Sequence, residues 1–149
     1  MANLALAAAF AAGSIEVDVA AADAFSAITR AGDLLVASGR TSERYTAEML
    51  EALTEFGPYF VIAPGLAIAH ARPSESVFST GLSLAVLREP IAFGNQANDP
   101  VRLVFALCAK DHDAHLLVLS QLAEKLGDES CVNILLNAST EAQIRSALL

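Results

Sequence analysis

The chain contains no tryptophan, only two cysteines, three histidines and nine basic residues, and each shortage narrows what it can be. Cys108 and Cys131 both lie in apolar runs and do not form a disulfide framework. Nine Lys and Arg against seventeen Asp and Glu leave a net charge of −8. That balance argues against a nucleic-acid partner, which needs a clustered basic face, and against an anionic membrane surface. No apolar run approaches the roughly 20 residues of a membrane span, so no direct membrane insertion is expected. No Lys or Arg precedes Arg30, so the basic start of a secretory signal is missing. There is no P-loop and no Gly-x-Gly-x-x-Gly, hence nothing to cradle a nucleotide. These absences describe a reduced, soluble, cytoplasmic protein.

What is present is a 149-residue chain that is 54% hydrophobic, enough for one domain with a sizeable core. Residues 1–13 are alanine-rich and open to two readings, helix or frayed tail. Ser14 to Val19 alternates at the period of a half-buried strand. The spacing of Phe25, Ile28 and Leu35 predicts a helix over 20–38, capped by Asp18 or Asp23 and stopped at Ser38-Gly39. A second helix spans 45–56, with Met49, Leu50, Leu53 and Phe56 as its buried stripe. Tyr59 to Ala63 reads as a strand, interrupted by Pro64-Gly65 and resumed from Leu66 into His70.

Ser79 to Leu87 is another strand, and Glu89 to Pro100 is an exposed loop rich in turn residues. Val101 to Ala109 is nearly continuous hydrophobe, which suits a strand covered on both faces. Asp111 or Asp113 caps a helix whose stripe is Leu116, Leu119, Leu122 and Leu126, closed by Gly127. Two short helices follow, at 129–137 and 140–149, the last opening on a Thr140-to-Gln143 capping box. Strands interleaved with helices imply an α/β three-layer sandwich, a mixed β-sheet of about five strands with helices on both faces. The whole of 1–149 is expected to be a single domain.

Chemistry concentrates in the stretch from Ala63 to Pro73. His70 ends a short strand between prolines that fix φ and remove backbone donors. Neutral imidazole is nucleophilic near pH 7, which makes His70 a candidate phosphoryl acceptor. Arg72 offers a planar fork that matches phosphate oxygens, or is a solvated loop cation. His115 sits in the first turn of its helix, where the helix field attracts anions and disfavours the imidazolium. It either presents a neutral N–H to a phosphoryl oxygen or packs beside Leu119 and Leu122. His112-x-x-His115 has metal-ligand spacing but no third ligand, so no metal is assigned. Cys108 lies in the most buried run and is a poor nucleophile candidate.

The segment Pro64-Gly65-Leu66-Ala67-Ile68-Ala69-His70-Ala71-Arg72-Pro73, followed by Ser79-Thr80-Gly81-Leu82-Ser83-Leu84, resembles enzyme IIA of the phosphoenolpyruvate-dependent sugar phosphotransferase system. The resemblance is to the mannitol/fructose type, ascorbate-like subfamily. It continues through Pro90 to Asn95, Asp99 to Val104, and His115 with Leu119 to Ala123. It implies a phosphocarrier in which His70 accepts a phosphoryl group from HPr and passes it to a cysteine of EIIB, serving a membrane EIIC. It further implies that His115 helps hold the phosphoryl group and that no cofactor takes part. Two departures stand out: Ala69 replaces the proline that often precedes the family's histidine, and Glu51-Ala52-Leu53 lacks the arginine that mannitol-type enzymes carry there. Arg72 is the candidate substitute cation. A regulatory module that senses phosphorylation state and binds a target protein is the alternative expectation, and a homodimer is compatible with either.

Overall fold

The computed structural model describes residues 4–10 and 14–149. Among them run α1 (Leu4–Ala9), β1 (Ile15–Val19), α2 (Ala24–Ala37), α3 (Glu43–Phe56), β2 (Val61–Ala63) and β3 (Leu66–His70). Then follow β4 (Gly81–Ile91), β5 (Val101–Cys108), α4 (His112–Leu126), α5 (Glu129–Asn137) and α6 (Glu141–Leu148). The strands form one sheet in the order β1-β4-β5-β3-β2. It is mixed: β1–β4 and β3–β5 are parallel, β4–β5 and β2–β3 antiparallel.

Both sheet faces are covered, and the central strands show how. Along β5, Val104, Ala106 and Cys108 enter one core, with Tyr45 and Met49 of α3 and several residues of α2. Leu103, Phe105 and Leu107 enter the other, with α1, α4, α5 and α6. In β4 the alternation of Leu82, Leu84 and Val86 with Ser83, Ala85 and Leu87 divides apolar residues between two cores. The polar Ser83 is accommodated because its hydroxyl donates to the Ala31 carbonyl at 2.7 Å. The three-layer sandwich expected from the sequence is the observed architecture.

Side chains cap the starts of α2, α4, α5 and α6. Asp23 caps α2 in a reciprocal box with Ser26, so the helix begins at Ala24 and not near residue 20. Thr140 and Gln143 form the expected box at α6. Pro64 with Gly65 at φ +76° makes the tight β2–β3 turn, the residue pair a type II turn requires. Of the alanine-rich start, Leu4–Ala9 is helical, and Leu6 N–H donates to Gln121 Oε1 of α4. Residues 1–3 and 11–13 of that stretch lie outside the described residues.

Several boundaries differ from expectation. β4 continues through Pro90 to Ile91, where a loop is expected. β1 pairs with it only as far as Leu87, so the proline denies no donor to that neighbour. Tyr59 and Phe60 form a turn, and β2 begins at Val61. Phe56 and Leu116, expected in buried stripes, are 62% and 49% exposed. Each sits where its helix runs past the edge of the core and borders a cleft.

Candidate functional site

β3 and β5 are parallel, with His70 in register with Leu107, so the two strands end together. Only residues 109–111 separate β5 from α4. So short a link starts α4 where β3 delivers His70. Two histidines distant in sequence therefore meet: the His70 and His115 rings lie 5.4 Å apart, centroid to centroid, at 63°. Ligand sites of open α/β sheets gather at carboxyl ends of strands for the same topological reason.

The His70 ring is held on several sides. Tyr59 stands edge-on at 5.6 Å and Phe60 is tilted at 5.2 Å. Nδ1 lies 3.0 Å from the Ile68 carbonyl oxygen. A carbonyl can only accept, so Nδ1 carries the proton and Nε2 keeps its lone pair. Ile68 belongs to the side of β3 that faces β2, its N–H donating to Phe60 O at 2.9 Å. Its carbonyl is thus available to a side chain.

His115 occupies the first turn of α4, where Asp111 is the cap: its side chain accepts from Ala114 N–H at 2.8 Å. His115 N–H donates to the Asp111 carbonyl at 3.1 Å. Burial chiefly, and then the neighbouring His70 and His112, hold His115 below its ordinary pKa. A ring kept neutral donates one N–H and accepts at the other nitrogen. His112 is exposed and borders the same cleft. Among the described residues no group of three or more His, Cys, Asp or Glu is arranged to hold a metal ion.

The cleft, of about 900 Å³, is bounded by β3's end, α3 and the start of α4. Arg72 is exposed and borders it, two residues beyond His70. Glu48, Glu51 and Glu55 of α3 line it too, with Ala52 among them, and Glu48 accepts from the Ser74 hydroxyl at 2.9 Å. Phe56, Tyr59 (43% exposed) and Leu116 give the rim an apolar character. The structure thus brings His70, His115 and Arg72 to one cleft. Cys108 is not part of it: burial pushes its thiol up to about 12, and it donates to Ser79 O and Gly81 O.

Sequence pattern does not mark Tyr59, Phe60 or the glutamates as site residues. Tyr59 and Phe60 read as strand because they are aromatic. The glutamates carry no pattern that separates them from other surface carboxylates. The Gly57-Pro58 break ends α3 and leads into the turn whose Tyr59 and Phe60 rings meet His70.

The chain matches known proteins over most of its length. Residues 9–149 match the family model described as "Phosphoenolpyruvate-dependent sugar phosphotransferase system, EIIA 2". The ascorbate-specific PTS system EIIA component of Escherichia coli K12 is 41% identical over 113 residues, 75% of this chain and 73% of that protein. The solution structure of the mannitol-specific cryptic phosphotransferase enzyme IIA CmtB from Escherichia coli superposes with a TM-score of 0.86 at 34% identity, covering 96% of this chain and 97% of that one. The complex of enzyme IIAMTL with phosphorylated enzyme IIBMTL from Escherichia coli matches at 0.82 and 26% identity, covering 93% and 96%. A strand-end histidine paired with a helix-start histidine, on this sheet and with these relatives, leads to one assignment: the chain belongs to the EIIA 2 family of the phosphoenolpyruvate-dependent sugar phosphotransferase system and is a phosphotransferase component of it.

Proposed function

We propose that His70 accepts a phosphoryl group from phospho-HPr at Nε2 and passes it to a cysteine of a cognate EIIB, in uptake through a membrane EIIC. The observation that carries this reading is the Nδ1 contact with the Ile68 carbonyl, which leaves Nε2 as the free nucleophile beside His115. In the first step the lone pair of Nε2 attacks phosphorus in line. The N–P bond of the donor phosphohistidine breaks, and its electron pair returns to the departing imidazole. The His70 ring gains positive character, and Ile68 O stabilises it through the Nδ1 proton. In the second step a thiolate of EIIB attacks, and the electron pair of the N–P bond returns to Nε2.

Phosphoryl transfer asks mainly for positioning and charge neutralisation. A neutral His115 donates an N–H to a phosphoryl oxygen, and Arg72 supplies the cation from the loop side. The exposed apolar side chains at the rim, Phe56, Tyr59 and Leu116, and the acidic face of α3 suit a protein partner with a basic surface. The ascorbate-specific relatives favour ascorbate-type uptake as the pathway served.

Incubation with phosphoenolpyruvate, enzyme I and HPr is expected to give an acid-labile phosphoryl adduct, absent from His70→Ala. Labelling of His70→Ala at the wild-type level would refute the assignment of the acceptor.

A further inference from the structure

We infer that Tyr45 is a positioning residue for His70, acting through a hydroxyl inserted into the β3–β5 ladder next to the histidine. This rests on His70 being the phosphoryl acceptor, as proposed above. The hydrogen-bond pattern locates the insertion. Gly65 O accepts from Leu103 N–H at 3.1 Å at the start of the pair. With Ala67 opposite Val104 and Ala69 opposite Ala106, the next rung would join Ala71 N–H to Leu107 O.

That rung is replaced. Ala71 N–H donates instead to the Tyr45 hydroxyl oxygen at 3.0 Å. The hydroxyl donates to Leu107 O at 2.6 Å, with the Ala71 carbonyl 3.2 Å away. One side-chain oxygen therefore separates the two strands immediately after His70 while keeping both backbone groups satisfied. Tyr45 is fully buried, in the third position of α3, within the core on that face of the sheet. Burial pushes its phenol well above the ordinary value, so the proton needed for the Leu107 bond is always present.

The consequence falls on the turn from His70 to Arg72. If Ala71 bonded Leu107 directly, β3 would lie closer to β5, and both side chains would enter the cleft from another position. Geometry of this kind matters to group transfer, where a displacement of about 1 Å in a reacting group costs on the order of 100-fold in rate.

The test is Tyr45→Phe, which keeps the ring and removes the bridging oxygen, assayed for transfer from phospho-HPr. The expected result is a kcat lower by roughly 10- to 100-fold with KM for phospho-HPr unchanged, and a shifted His70 ring 15N signal. Met49→Ala, a core truncation on the same helix, is expected to lower stability while leaving kcat near wild type. In the wild-type protein the Ala71 amide should exchange slowly with solvent. Wild-type kcat in a folded Tyr45→Phe, an equal kcat loss in Met49→Ala, or an Ala71 amide exchanging like an open loop would each overturn the inference. Loss of label in His70→Ala with normal transfer by Tyr45→Phe would sink this inference alone. Retained label in His70→Ala would instead sink the acceptor assignment, and the ring signal and Ala71 exchange would still judge the tie.

Discussion

At the scale of single residues, the site depends on two imidazoles kept in different states of readiness. Ile68 O assigns the proton of His70 to Nδ1, and burial beside two other histidines keeps His115 neutral. The second effect has a thermodynamic sign. In the unfolded chain His115 binds a proton around its ordinary value of 6.5, and in the fold only at lower pH. Between those two values the unfolded state holds more protons, so stability falls as the pH is lowered through that window. Above pH 6.5 both states are neutral at this position and the contribution vanishes. Urea midpoints at several pH values should therefore show a shallower acid loss for His115→Asn than for wild type. Parallel pH profiles would contradict this account of His115. The sequence places His115 in a first helical turn three residues from His112, but its burial and the approach of His70 from β3 depend on the tertiary fold.

The secondary-structure elements place those residues, and their ends matter more than their middles. Asp111 is the hinge of the arrangement: its side chain caps α4 and its carbonyl receives His115 N–H. Asp111→Ala leaves an orphaned donor at the helix start and should cost about 1 kcal/mol of stability, within a range of roughly 0.5–2. Chemical denaturation measures the loss, and broadening of the His115 ring resonances would report the loosened first turn. A stability equal to wild type would show that solvent or Asp113 takes over the cap. Both aspartates were visible in the sequence as candidates. Choosing between them required the helix start at His112, which puts Asp113 inside the first turn. The stripes of α3 and α4 were legible in the same partial way. Met49, Leu53 and Leu122 are buried as their spacing demands, whereas Phe56 and Leu116 belong to the cleft rim. Periodicity identifies the apolar side of a helix, but not the point at which the core beneath it ends.

The whole molecule is a sheet with two cores, and β5 serves both. Phe105 is fully buried on the α4–α6 side, so Phe105→Ala should cost about 3–5 kcal/mol, combining lost transfer energy with a residual cavity. Thermal or urea unfolding checks this, and a cost below about 1 kcal/mol would mean the layer closes over the gap. The near-continuous hydrophobic run of β5 already marked a strand buried on both faces. Composition, the Thr140–Gln143 capping box, the Pro64-Gly65 turn and the strand ending on His70 were likewise determined by sequence alone, because each is set within a few residues. The meeting of His70 with His115, the Tyr45 oxygen in the ladder and the placing of Tyr59 against the imidazole were decided only by tertiary structure. They follow from the parallel pairing of β3 with β5 and the closure of α3 over the sheet, contacts between distant segments that local pattern does not encode.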